Sequence, residues 1–320
     1  MKALTFSRFG GPEVLEWREM PDPLPGPGEV LVRTQAIGMN FADCYRRQGR
    51  YHQVGEAPWI AGYEAAGEVA GLGQGVTSLR IGDRVAFADS PFAHAELVVV
   101  PEAKLIPLPG DITCETAAAL LLQGLTALYL SRDSHAIAQG ERVLVHAAAG
   151  GVGLLLVQMA SLLGAHVLGV VSRESKVPAA LAAGAEKVVL FGEDWRGAAR
   201  EFGAGGMDVV YDSVGSTLMA SLEVARTGGQ VVFYGMAGGD PAPVDPRYLM
   251  DTSKSLTGGD LWNVLRTHQD RVGRAATLFD WVRQGKLSVH IAARIPLSSG
   301  AEAHQLLESR ATTGKVLLVP

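Results

Sequence analysis

Residues 143–160 read VLVHAAAGGVGLLLVQMA, and the parsing of this stretch decides the fold. It opens a run of thirty residues, Val143 to Ser172, without one Asp, Glu, Lys or Arg, long enough on length alone for a membrane span. Gly150, Gly151, Gly153, Gly164 and Gly169 interrupt that run, together with His146, Gln158 and His166. The glycine cluster falls between a short apolar run and the helix-forming segment 154–163, so the pattern predicts strand, glycine turn, helix, strand. Against the dinucleotide fingerprint G-x-G-x-x-G, Ala148 takes the first glycine place, Gly150 the second and Gly153 the third. Gly150 would admit a pyrophosphate to the backbone, and Gly153 would let the helix close on the strand. The helix start at Gly151 and Val152 would offer unpaired N–H groups and a positive dipole to the phosphates.

Downstream, apolar runs of strand length at 165–171, 187–190, 208–212 and 229–234 alternate with helical segments, and a helical run, CETAAALLLQGLTALYLSRDS, precedes the first strand. Repeated strand–helix–strand spacing implies βαβ units and a parallel sheet covered on both faces. Residues 1 to about 122 read differently, with short strands at 30–36, 67–70, 84–87 and 95–100 separated by turn clusters such as PDPLPGPGE and GLGQGV. After residue 262 come helices at 270–284 and 300–309 and a closing strand at 315–319. The chain is expected to be an α/β protein, a β-rich domain from 1–124 and 263–320 enclosing a doubly wound domain at 125–262.

The second strand of this half ends LGVVSRESK. An NAD enzyme normally places a carboxylate there for the ribose 2′-hydroxyl. Here Ser172, Arg173 and Lys176 follow instead, which suits a 2′-phosphate and favours NADP, although Glu174 between the cations leaves open a merely solvated loop.

Bulk properties exclude several classes. With 48% hydrophobic and 19% charged residues the chain is core-rich, and the 39 glycines have no collagen-like period. A formal charge of -5 gives no electrostatic reason to expect nucleic acid or an anionic membrane as partner. Cys44 and Cys114 are too isolated for a disulfide framework or a thiolate metal cage. The start, MKALTFSRFGGPEV, lacks the apolar core of a signal peptide, so a cytoplasmic location is expected.

Taken together, GGPEVLEW at 10–17, MNFADCYRRQGRY at 39–51, GYEAAGEV at 62–69, GDRVA at 82–86, QGLTA at 123–127, AAAGGVG at 147–153, DVVYDSVG at 208–215 and ESRATTGKVLLVP at 308–320 resemble one family over the whole chain. It is the quinone oxidoreductase (zeta-crystallin-like) branch of the zinc-independent medium-chain dehydrogenase/reductase superfamily. The resemblance implies a GroES-like substrate domain built from both chain ends, an inserted Rossmann domain, NADPH as cofactor, a quinone or enone as substrate, and a homodimer. It also implies no metal, since Asn40 stands where zinc-dependent relatives carry a cysteine, and Gly62, Tyr63 and Glu64 replace their Gly-His-Glu. Lys176 matches the family's phosphate-binding lysine and Arg310 its C-terminal arginine, while Phe191 replaces a tyrosine that often joins the phosphate. Thr126 and Gly235 match positions beside the cofactor.

Hydride transfer to a quinone or enone leaves negative charge on a carbonyl oxygen. Without zinc, the expected donors are the Asn40 amide and the Tyr45 hydroxyl, both also expected near the cofactor, with Asp43 as the third polar member of the motif. Tyr51, Tyr63 and Trp262 are the expected substrate-binding aromatics. Asn40 and Asp43 are equally types that cap turns, and Tyr45 and Tyr51 types that pack. The paired glycines Gly258 and Gly259 before Asp260 and Trp262 fit no pattern of the family. Two further functions stay open: reduction of enone or enoyl double bonds, and an NADPH-binding crystallin-like or RNA-binding protein with little turnover.

Overall fold

The computed structural model describes residues 1–52 and 54–320, and the chain divides into two compact units. The second unit, residues 124–264 with 281–288, holds a six-stranded sheet. Its order across the sheet is Lys187–Leu190, His166–Val171, Arg142–His146, Met207–Asp212, Ala225–Phe233, Ser255–Gly258. All neighbours run parallel. In chain order this is 3-2-1-4-5-6, the Rossmann arrangement, with its switch point between Arg142–His146 and Met207–Asp212. The central residues Val143, Leu144 and Val145 are fully buried, which is why this strand reads as an unbroken apolar run. Gln158 fastens residues 281–288 to this unit: its carbonyl accepts the Ser288 N–H at 2.8 Å and its amide donates to the Ser288 carbonyl at 3.1 Å.

The first unit takes residues 1–123, 265–280 and 289–320. Its larger sheet runs Ile291–Pro296, Lys315–Val319, Glu29–Gly38, Glu64–Leu72, Arg84–Phe87, Ile106–Pro107, with Leu97–Pro101 also on Glu29–Gly38. A smaller sheet joins Glu16–Glu19, Lys2–Phe6 and Trp59–Ile60. Leu4, Phe6, Val32, Ile37, Phe87, Val316 and Leu318 belong to the core that both chain ends share. The register sets Gly38 opposite Glu64 on one side and Leu317 on the other.

Three helices matter for the site: α1, Phe41–Arg47; α2, Cys114–Tyr129; and α3, Gly151–Leu162. The stretch that resembled a membrane span is strand, turn, α3 and strand. Among the described residues one helical run, Cys114–Ser134, is long and apolar enough to cross a membrane, and most of it is buried inside the protein.

Candidate functional site

In the second unit, the turn before α3 is built by close approach. Ala147 adopts a left-handed backbone with φ 49°, and its carbonyl accepts the Gly150 N–H at 2.8 Å. A β-carbon on Gly153 would lie 2.2 Å from that same carbonyl oxygen, so glycine is obligatory there. On Gly150 it would lie 3.1 Å away, tight but less severe. The left-handed residue is thus Ala147, one place before the Ala148 aligned with the fingerprint's first glycine. Ala148 is buried and donates its N–H to Val170 at 3.1 Å, tying the turn to the next strand. The N-terminus of α3, Gly151 and Val152, opens from the carboxyl end of Arg142–His146 at the switch point.

Beside it, Ser172 and Arg173 are exposed just past His166–Val171, and Lys176, in a short helical turn, is buried. Phe191 is 47% exposed and donates its N–H to the Val171 carbonyl at 2.7 Å, so these four residues gather at the ends of two adjacent strands. Gly235 follows Ala225–Phe233, where a β-carbon would stand 3.1 Å from the Ser213 carbonyl. Thr126 is buried on α2, and Trp262 lies in the helical turn Leu261–Val264, its N–H donated to the Asp260 carboxylate at 3.1 Å. The glycine pair before it has a partner that sequence reasoning missed. A β-carbon on Gly259 would strike the Tyr129 ring at 2.7 Å, so that glycine seats Tyr129, whose hydroxyl burial drives upward in pKa, with Asp260 and Tyr234 adding to the shift.

Asp212, Ser221 and His146 are adjacent in the same unit without forming a nucleophilic triad. Ser221 and Thr217 both donate to Asp212 Oδ2 at 2.7 Å, and the Val214 and Gly215 N–H groups donate to Oδ1 at 2.9 and 3.1 Å. The Ser221 proton is therefore committed to Asp212, which makes His146 Nε2 the donor to Ser221 Oγ at 3.0 Å. All three are fully buried, and the arrangement braces the turn after Met207–Asp212.

In the first unit, strand register assembles a buried polar cluster around Asn40. Asn40 Nδ2 donates to Glu64 Oε2 at 2.9 Å and to the Gly38 carbonyl at 3.2 Å. Its Oδ1 accepts from Lys315 Nζ at 2.9 Å and from Gln123 Nε2 at 3.2 Å. Lys315 also donates to Glu64 Oε2 at 2.6 Å, and the Leu122 N–H of α2 donates to Glu64 Oε1 at 2.6 Å. Burial raises the Glu64 pKa, opposed by the Lys315 charge and by the bonds from Asn40 and Leu122. Gly38 leaves room for all this: a β-carbon there would lie 2.3 Å from both Glu64 Oε2 and the Ala118 carbonyl. A carboxamide has two N–H groups and two acceptor sites, so all four positions on Asn40 are filled. In this arrangement the carboxamide expected as a donor is held entirely by protein groups. Asp43 is likewise inward: its carboxylate accepts the Asn40 N–H at 2.7 Å, capping α1, with His94 Nε2 3.6 Å away. Glu64, Lys315 and Gln123 were not anticipated. For Glu64 and Lys315 the sequence signal was a charge at the head of a strand.

Tyr45, on α1, is 9% exposed and lies 6.4 Å from Tyr51 between ring centroids, with Tyr51 6.0 Å from Tyr63. The three expected tyrosines thus form one aromatic cluster. Tyr63 is buried, donates its hydroxyl to the His52 carbonyl at 2.6 Å and packs edge-on against Tyr51. Arg310, in the first unit, holds a left-handed φ of 53° after the helix Gly300–Glu308.

A family model described as the alcohol dehydrogenase GroES-like domain matches residues 26–110, and one described as zinc-binding dehydrogenase matches 151–272. The chain is 40% identical to a quinone oxidoreductase of Pseudomonas aeruginosa, covering 100% of this chain and 99% of that protein. It is 38% identical to a 2-haloacrylate reductase of a Burkholderia species, covering 99% and 98% respectively. The crystal structure of Escherichia coli quinone oxidoreductase complexed with NADPH superposes with a TM-score of 0.97 at 37% identity, covering 100% of both chains. The zinc of the second family model's description does not fit the residues present. Asn40 has no free valence, the Tyr63 hydroxyl is bonded to a carbonyl, and Glu64 is neutralised by Lys315.

Proposed function

Because the chain belongs to the quinone oxidoreductase branch of the medium-chain dehydrogenase/reductase superfamily, we propose that it is an NADPH:quinone reductase that works without zinc. The observation that carries this reading is the Ala147–Gly153 turn at the switch point, followed on the next strand by a hydroxyl and two cations in place of a carboxylate. The second unit serves as the Rossmann domain and the first as the GroES-like substrate domain. Gly150, Gly151, Val152 and Gly153 receive the pyrophosphate; Ser172, Arg173 and Lys176, with Arg310, receive the 2′-phosphate. Phe191 contributes no hydroxyl to it, and Thr126 and Gly235 border the nicotinamide half.

When bound, NADPH supplies a hydride from C4 of its nicotinamide. The Tyr45 hydroxyl donates to the acceptor oxygen on which negative charge builds, being protonated at neutral pH because a phenol titrates near ~10. Asn40 and Asp43 hold α1 so that Tyr45 points correctly, and Tyr51 and Trp262 offer flat faces to a planar acceptor. The balance is NADPH, a proton and a quinone giving NADP and a hydroquinone. The catalyst is cytoplasmic and homodimeric, with a small molecule as substrate and neither nucleic acid nor membrane as partner.

The 2-haloacrylate reductase relative supports a second reading, reduction of an activated carbon–carbon double bond on the same donor. Oxidation of NADPH and NADH against a panel of quinones and enones tests both. Faster NADPH turnover with quinones supports the first, faster turnover with enones the second, and no turnover with any acceptor rejects both.

A further inference from the structure

Lys315 and Glu64 form an ion pair whose side chains are 1% and 0% exposed, and both charges reach the same carboxamide. Taking two charges out of water is costly, and a hydrophobic pair of similar volume often stabilises as well or better, so fold stability alone is a weak reason for this arrangement. What it achieves is orientation. Lys315 Nζ fixes Asn40 Oδ1, Glu64 Oε2 fixes Asn40 Nδ2, and each is tied to the other, which closes a three-membered ring of charge-assisted bonds. Gln123 and the Gly38 carbonyl complete the carboxamide's bonds from α2 and from the strand that leads into Asn40. The Met39 N–H donates to Val316 at 3.0 Å, so the C-terminal strand is bonded to the chain up to the residue before Asn40. From there the Asn40 N–H to Asp43 bond starts α1, the seven-residue helix that carries Tyr45.

We propose that Lys315, Glu64 and Gln123 are positioning residues for hydride transfer: they lock the Asn40 carboxamide, and through the first turn of α1 they set where the Tyr45 hydroxyl points. Asn40 belongs to this device and gives no hydrogen bond to substrate. The inference rests on the quinone reductase reading for its kinetic consequence, and on geometry alone for the lock itself.

The decisive variants are Lys315→Met, Glu64→Gln and the two combined. Each single change strands a buried charge and lowers Tm; the double change strands none and recovers most of the loss. A merely structural pair predicts that kcat recovers with Tm. Positioning predicts that kcat in the double variant stays down by about tenfold or more, with KM for quinone and NADPH affinity close to wild type. In a Tyr45→Phe background the same double change should cost almost nothing further, because the group being aimed is gone. Recovery of kcat, or a full additional loss on Tyr45→Phe, overturns the proposal. Should the double variant not fold, Gln123→Leu touches neither charge and decides the matter: reduced kcat at unchanged KM supports positioning, and unchanged kcat overturns it. Side-chain 15N NMR separates this from the functional reading. If the wild-type protein reduces no acceptor, that reading falls, while the Asn40 carboxamide still reports on the lock. Slow proton exchange in the wild type that becomes fast in the variants supports it, and equal exchange overturns it.

Discussion

Gly153 and Ala147 stand so close that a β-carbon on the former would lie 2.2 Å from the carbonyl oxygen of the latter. Gly150 has an extra 0.9 Å of clearance from the same oxygen, 3.1 Å against 2.2 Å. The two glycines should therefore fail differently. Gly153→Ala must push α3 off its strand, lowering stability by about 1–3 kcal/mol. Gly150→Ala should leave Tm near wild type and weaken NADPH by placing a methyl group where pyrophosphate meets backbone. Thermal melts and NADPH titration of both variants test this; equal effects on both quantities would reject the division of labour.

Lys176 and Arg310 are assigned to the 2′-phosphate, which NADH lacks. Arg310→Ala or Lys176→Met should raise the Kd for NADPH by about tenfold to a hundredfold, the loss of one charge-assisted bond, with little change for NADH. Arg310 sits at φ 53°, so Arg310→Gly serves as a control free of backbone strain. Equal losses for both cofactors would remove the phosphate assignment.

Tyr45→Phe keeps the ring that packs near Phe41 and Tyr51 and removes only the hydroxyl. Turnover should fall by about a hundredfold, as for loss of one oxyanion donor, while NADPH affinity stays put. Steady-state kinetics decide, and an unaltered kcat returns Tyr45 to a packing role.

Chelation should leave turnover untouched. Incubation with a strong chelator followed by assay, together with elemental analysis of the purified protein, checks this; a stoichiometric metal would contradict the bonding found at Asn40, Tyr63 and Glu64.

Two buried imidazoles make the fold less stable as the pH falls. Burial depresses His304 well below 6.5, with His94 and Arg47 adding to the effect, and burial depresses His146 against the opposing Asp212. Both folded pKa values lie below the unfolded one, so below about pH 6.5 the unfolded chain binds protons that the native protein refuses. Their contribution is complete above that pH and is lost as pH falls, at up to about 1.4 kcal/mol per pH unit for each histidine. Melts between pH 7.5 and 5 should show the decline, and His304→Asn with His146→Asn should flatten it.

Local patterns were legible where local physics sets the structure. The strands Arg84–Phe87, Lys187–Leu190 and Lys315–Val319 have the bounds their flanking turns and apolar runs suggest, and the turn before α3 is legible because its glycines sit between two recognisable elements. The helix Phe41–Arg47 is not legible, since seven residues give too few turns for a periodicity, although Asn40 and Asp43 are residue types that cap. The lock around Asn40 was invisible for another reason: its ionic partners, Glu64 and Lys315, lie 251 positions apart and meet only through the register of three strands. Gly259 belongs to the same class, an odd glycine until Tyr129 is seen against it.

The bond from Lys315 to Asn40 joins residues 275 positions apart, across the whole stretch that builds the parallel sheet. During synthesis the amino-terminal strands must therefore wait, with Asn40 and Glu64 still lacking their cation, until the parallel sheet has been made and the closing strand arrives. Lys315–Val319, made after the parallel sheet, supplies the cation of the Asn40 cluster. In refolding of the complete chain the same 275-residue separation should make acquisition of turnover lag behind formation of the parallel sheet.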